Sequence, residues 1–358
     1  MNTFKDKILI IGGYGAVGAF ISKDLAKKYP GKLIIGGRDI NKAIRLIDDN
    51  SLDATPLKID LDSIRPSEIP VAEIHTAICC VEYLKTDYFL LLCIQYKINY
   101  TELGTSYKAF QRFTTYAAEI EKSKICFIPG VGLMPGLSGI FVQDSISKLH
   151  KIRCVQSFVL LGLGENHGLD AIRWMLEYAD QKYHVKLENK EKQVKSFSNP
   201  IKEQLLSENR PRKFYRFNFG DQHVIVDSDM ADEAHTRIAF DSGFITWLIV
   251  ILGKFGLLTI LKKSSPVTVR KWLSKFTSGS ENFAVQCHCY GQNSDEIIYL
   301  AEGVGEARGT AVVAAYAVTQ LYKSSGNVGL RRLEEVVNRN EFFEYLRELN
   351  IKIIIKEQ

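Results

Sequence analysis

Lys7-Ile8-Leu9-Ile10-Ile11-Gly12-Gly13-Tyr14-Gly15-Ala16-Val17-Gly18 is the stretch on which the reading of this chain turns. The unbroken apolar run Ile8 to Ile11 is what a parallel strand covered on both faces requires. Gly13-x-Gly15-x-x-Gly18 follows at once, and a helical pattern runs from Ala19 to Lys28. Each glycine has a mechanical task. Gly13 permits the tight turn, Gly15 lets a pyrophosphate approach the backbone, and Gly18 seats the helix close on the sheet. The helix N-terminus then presents free N–H groups and the positive end of its dipole to an anion. Gly13, Tyr14, Gly15, Ala16, Val17 and Gly18 are therefore the expected pyrophosphate turn of a dinucleotide site.

Outward from this turn, Lys32 to Gly37 is a second strand ending in Arg38-Asp39. A dinucleotide fold reads the adenosine ribose at this point, about 20 residues past the glycines. A carboxylate there bonds the 2′-hydroxyl of NAD, and a guanidinium matches the 2′-phosphate of NADP. Asp39 has an alternative task as N-cap of a helix from Ile40 to Asp49, whereas Arg38 has none. NADP is the expected cofactor, with NAD left open. Thr55 to Asp60 is a third strand, and Asp60-Leu61-Asp62 at its end is where an adenine edge could be held. Asp62 serves equally well as a turn cap. Ile74 to Val81 and Ile98 to Leu103 are the fourth and fifth strands, separated by a helix from Thr86 to Tyr96. Their ends, Cys80-Val81 and Gly104-Thr105, are expected near a nicotinamide, with Tyr83 beside them as a catalytic candidate or a packing aromatic. One long helix from Tyr107 to Lys122 precedes a sixth strand, Ile125 to Ile128. Strands alternating with helices at this spacing predict an α/β fold, an N-terminal Rossmann doubly wound parallel sheet over residues 1–135.

Pro129-Gly130-Val131-Gly132-Leu133-Met134-Pro135-Gly136 breaks the rhythm, and hairpin signals take over. Residues 136–305 read as an inserted α+β mixed-sheet catalytic domain. Within it Arg153 to Leu163 is a strand, and Lys213 to Phe219 is expected to pair with His223 to Val226. Ala284 to Tyr290 is expected to pair with Glu296 to Ala301. The turn Glu165-Asn166-His167 after Gly164 suits a substrate carboxylate, held by Glu165 and Asn166, with His167 as proton carrier or as a plain loop histidine. Residues 306–358 read as C-terminal helices returning to the first domain.

The 358 residues carry 46% apolar and 24% charged side chains and a net charge of +5, with no arginine-rich arm, zinc-finger spacing or RNA-binding aromatic signature. A small-molecule substrate is expected, and nucleic acid is not. The chain enters its first strand without a signal peptide, and its seven cysteines suit reduced thiols, so a cytoplasmic location is expected. In Cys287-His288-Cys289, strand alternation separates the histidine from the cysteines, so no metal is expected there. Phe244 to Leu261 is apolar, yet the run before Lys254 is about ten residues, short of the ~20 of a membrane span. It reads as a buried helix or helix pair, as a hydrophobic substrate or dimer surface, or as a lipid contact.

With these landmarks in place the chain resembles the saccharopine dehydrogenase-like superfamily, in particular its compact bacterial members. The resemblance rests on Ile11 to Gly18, Gly36-Gly37-Arg38-Asp39, Asn99-Tyr100-Thr101-Glu102-Leu103-Gly104, Pro129 to Gly139 and Gly305-Glu306-Ala307-Arg308-Gly309-Thr310-Ala311. It implies a Rossmann domain binding NADP(H), a catalytic domain inserted before a C-terminal return, and reduction of imines made from amino acids and keto acids. Where relatives carry Asp in the fifth-strand motif, this chain has Glu102. No lysine or histidine here matches a saccharopine-type catalytic pair, which argues against saccharopine itself as substrate. The expectation is an NAD(P)-dependent oxidoreductase acting on a C–N bond, assembled as a homodimer. The alternatives are an enoyl reductase for an apolar substrate and a non-catalytic NADP-binding protein.

Overall fold

The computed structural model describes residues 5–81, 87–104, 106–164, 175–188, 190–255, 258, 279–293, 295–323 and 326–358. The chain divides into two compact units: Met1–Leu137 with Thr310–Asn338, and Ser138–Gly309 with Arg339–Gln358.

In the first unit, β1 (Lys7–Ile11), β2 (Leu33–Gly37), β3 (Ala54–Lys58), β4 (Ile74–Cys79), β5 (Asn99–Glu102) and β6 (Cys126–Pro129) form a parallel sheet in the order β6-β5-β4-β1-β2-β3. A short strand, Gly329–Leu330, adds to the β6 edge, again parallel. Ile8, Leu9 and Ile10 have no exposed surface, which explains why β1 needs apolar side chains on both faces. The connecting helices are α1 (Gly18–Lys28), α2 (Ile40–Asp49), α3 (Tyr88–Tyr96), α4 (Tyr107–Thr114) and α5 (Ala117–Ser123). The strand order reverses about β1, so the carboxyl ends of β1 and β4 flank a crevice, the usual ligand site of such sheets.

The single helix expected from Tyr107 to Lys122 is two. Thr114 Oγ1 donates to Gln111 O and Thr115 Oγ1 to Arg112 O, each at 2.7 Å, and these bonds compete with the helical ladder at the break. The helix Glu306–Lys323 contributes its small residues Ala311, Ala314 and Ala317, all fully buried, to the first unit. The segment 306–358 is thus shared. Thr310–Asn338 lies in the first unit, and Arg339–Gln358 in the second.

The second unit contains helix α6 (Leu137–Leu149) from Ser138 onward and β7 (Ile152–Leu161), β8 (Lys182–Leu187), β9 (Lys190–Lys195), β10 (Ile201–Glu203), β11 (Arg212–Arg216), β12 (Glu233–Phe240), β13 (Asn282–Gly291) and β14 (Glu296–Val304). Its mixed sheet runs β10-β11-β12-β7-β13-β14 and is completed by a last strand, Lys352–Glu357, while β8 and β9 form a separate hairpin. Two readings are corrected here. His223 to Val226 is helical, within Asp221–Asp227, and β11 pairs instead with β12. A short β-branched run cannot be told from a helix by periodicity. The deciding contact is Gln222, whose amide caps the turn through Phe217 O and Phe219 O. The other is Lys352–Glu357, which the sequence reading left out of the sheet and which pairs antiparallel with β14.

Alternation along β13 buries Cys287 and Cys289 together on one face. His288, on the other, is bonded by Glu296 (2.5 Å) and Gln286 (2.9 Å). Among the described residues no helix is long and apolar enough to cross a membrane. The helix Gly243–Lys254 buries Ile245 and Val250 and leaves Phe244 and Trp247 63% and 52% exposed.

Candidate functional site

The turn after β1 is held from three sides. Gly12 takes φ +74°, in the left-handed region that favours glycine. Gly15 N donates to Gly12 O (2.8 Å), and Ser22 Oγ from α1 donates to Gly13 O (2.8 Å). A Cβ on Gly18 would stand 2.2 Å from Gly12 O, so only glycine lets α1 start this close to the strand. Gly15 and Ala16 are exposed at the tip. The first residue ahead of α1, Val17, offers no side-chain cap, and the first turn holds no acidic residue. Ala19 N donates to Gly15 O, and Phe20 N and Ile21 N donate to Val17 O, so an incoming anion such as a pyrophosphate would meet the amides ahead of them at the exposed tip.

The end of β2 lies against this turn. The Tyr14 ring covers Gly37 so closely that a Cβ there would be 2.5 Å from it. Its hydroxyl accepts from Asp39 N at 2.9 Å. The Asp39 carboxylate caps α2, accepting from Asn41 N at 3.1 Å. Arg38 is exposed and has no hydrogen bond or ion pair among the described residues. Asp60 Oδ1 accepts from Asp62 N (3.1 Å) and so holds its own turn, while Leu61 is buried in the core.

At the other side of the crevice Cys80 N donates to Ile11 O (2.8 Å), and Val81 packs on Gly12. Burial pushes the Cys80 thiol well above its ordinary value. Gly104 lies just past β5, beside the Glu102 carboxylate. Tyr83, Thr105, Glu165, Asn166 and His167 fall outside the described residues.

The structure adds a group that the sequence reading noted only as a departure from its relatives. Glu102 closes β5 with a partly buried carboxyl that accepts from the Tyr100 hydroxyl at 3.1 Å. Burial pushes this carboxyl up to about 7, against the opposing pull of the Tyr100 bond and of Arg112. Arg112 is itself bound to Asp87 (2.5 Å), which also accepts from Tyr116 (2.9 Å). A carboxyl poised near neutrality at the carboxyl edge of a parallel sheet can exchange a proton under working conditions. Its signal lies in burial, which spacing does not reveal.

No family model matches the chain, and no curated protein sequence matches it. Solved structures do. Saccharopine dehydrogenase (L-Glu forming) from Saccharomyces cerevisiae, in its apo form, superposes with a TM-score of 0.69 at 14% identity, over 99% of this chain and 100% of that one. The chain shares the fold of that structure. Homospermidine synthase from Legionella pneumophila, solved in complex with NAD, gives 0.71 at 10% identity, over 99% of this chain and 92% of that one. Amine dehydrogenase from Mycobacterium smegmatis gives 0.50 at 10%, over 94% and 98%. The fold shared with saccharopine dehydrogenase covers 99% of this chain and so includes both units.

Proposed function

We propose that the chain is an oxidoreductase that binds a nicotinamide dinucleotide on the carboxyl edge of the first unit, with NADP preferred. Its reaction is hydride transfer at a C–N bond of an amino-acid-derived imine or secondary amine. The observation that carries this reading is the glycine turn over the uncapped N-terminus of α1, with the exposed Arg38 guanidinium, unpaired among the described residues, at the end of β2. Gly13 to Gly18 hold the pyrophosphate. Arg38 meets the 2′-phosphate, Asp39 stays with its helix, and Asp60 and Leu61 border the adenine. Cys80, Val81 and Gly104 border the nicotinamide. The names of the neighbouring structures, two of them dehydrogenases and one solved with NAD, agree with this class of chemistry.

When bound, the dinucleotide supplies or takes up the hydride. Reduction of an imine also needs a proton on nitrogen, and Glu102, poised at about 7, is the group we assign to carry it. NADPH consumption with pairs of amino acids and keto acids tests the assignment. Glu102→Gln should lower kcat about 10²–10⁴-fold with nucleotide affinity unchanged. A second reading rests on the exposed pair Phe244 and Trp247, whose rings lie 5.9 Å apart. On that reading the substrate is an apolar enoyl compound, and turnover of an enoyl thioester with no turnover of imines would establish it.

A further inference from the structure

The second unit holds a group of buried cations that the dinucleotide chemistry does not use. Glu233, His235 and Arg237 alternate along one face of β12, and Arg216 on β11 stands directly opposite Arg237. Cys154 and Gln156 on β7 pair with Glu233 and His235. Arg216, His235 and Arg237 are only 5%, 4% and 4% exposed. Arg216 Nε and Nη1, Arg237 Nε and His235 Nδ1 are buried without a hydrogen-bond partner among the described residues, and His235 Nε2 has only the Glu233 carboxylate near it there. The bond from Arg237 Nη1 to Gln156 (3.3 Å) is to a neutral amide.

The charges do not balance. Glu233 is the carboxylate of this group; it accepts from Glu188 N (2.5 Å), and its other oxygen lies 3.4 Å from His235 Nε2. Both guanidiniums are held below their ordinary value by desolvation, and the ionisable groups beside them, the Tyr183 phenol and the Cys154 thiol, are pushed up by burial to about 12 and about 11 and so stay neutral near pH 7. Unpaired buried guanidiniums are costly, and a carboxylate or phosphate would supply the acceptors that their N–H groups lack.

Cys154, Glu233 and His235 also stand close enough to share a metal ion. Two guanidiniums on the same face oppose a divalent cation and favour an anion. We propose that this face of the second unit is a binding site for an oxyanion, a carboxylate or a phosphate, gripped by Arg216 and Arg237 with His235 as a further donor. The site is built wholly from the second unit and is independent of the proposed dinucleotide chemistry.

Calorimetric titration of the full chain with inorganic phosphate, with succinate and with zinc ion, against chloride at matched ionic strength, tests this. Phosphate or succinate should bind and raise Tm where chloride does not, and whichever binds more tightly identifies the source. Arg237→Met should fold, since it removes an unpaired buried charge, and should bind the anion at least about tenfold more weakly. If that variant does not fold, Arg237→Lys keeps the charge, loses the fork and should show the same loss. Equal responses to all the anions, or anion binding unchanged in the Arg237 variant, would overturn the proposal. So would zinc binding that is lost in Cys154→Ser, which would make the cluster a metal site.

Discussion

The Tyr14 hydroxyl accepts a hydrogen bond from Asp39 N at 2.9 Å, tying the glycine turn after β1 to the end of β2. The two ends of a dinucleotide's adenosine diphosphate moiety would be read by these two segments, so their relative position sets affinity. Because a Cβ on Gly37 would stand 2.5 Å from the Tyr14 ring, any side chain at that position must displace it. Gly37→Val should therefore weaken nucleotide binding at least about tenfold, and Tyr14→Phe, which removes one hydrogen bond, should cost about 1 kcal/mol. Fluorescence titration of the two variants beside the wild type reads both. Equal affinities for all three proteins would mean that the contact plays no part.

Glu102 makes a pH prediction whose sign is fixed by its environment. Its carboxyl is raised from the ordinary 4.5 to about 7 in the fold, chiefly by burial. The folded protein therefore holds this proton more tightly than the unfolded chain. The associated stability is fully present below about 4.5 and is lost as pH rises to and through about 7. Glu102→Gln should flatten that part of the stability curve, measured as urea midpoint against pH. An unchanged slope between these values would place the titration elsewhere.

The helix Arg339–Glu348 belongs to the second unit, and one buried carboxylate helps to hold it there. Asp144, 2% exposed at its side chain, is bonded by Arg339 Nη1 and accepts from the Tyr299 hydroxyl (2.5 Å), with Lys148 3.6 Å away. Arg339→Met would leave that carboxylate with Tyr299 and Lys148 as its remaining partners. The expected loss is about 1–3 kcal/mol in chemical unfolding, and Asp144→Asn in the same background should recover part of it. No recovery would show that the Arg339 stem, not its charge, carries the effect.

How much of this was legible in the sequence depended on which physical signal each segment carries. β1, α1 and β2 announce themselves, because a strand buried on both faces must be apolar throughout and glycine alone permits the 2.2 Å approach at Gly18. β12 escaped notice for the opposite reason: Glu233, His235 and Arg237 put polar groups on a face that is nonetheless buried, so no apolar run marks it. The strand Lys352–Glu357 escaped because its isoleucines stand among charges at a sheet edge, where one row of partners suffices. His223 to Val226 misled through β-branched residues that tertiary contacts turn into a helix. At the candidate site, the tight glycine turn was readable from spacing, and the binding roles given to it and to Arg38 are part of the proposal. The proton-carrying role we assign to Glu102 rests on burial beside Tyr100, which no local pattern encodes.

The central claim is that the first unit binds NADP through Arg38, and titration with NADPH and NADH, wild type beside Arg38→Ala, tests it most directly. Loss of a charge-assisted bond to the 2′-phosphate should cost about 1.5–3 kcal/mol, roughly 10- to 150-fold in NADPH affinity. NADH affinity should stay within about twofold, since Arg38 has no other partner to lose among the described residues. Binding of neither nucleotide to the wild type, or an equal loss of both in the variant, would contradict the account.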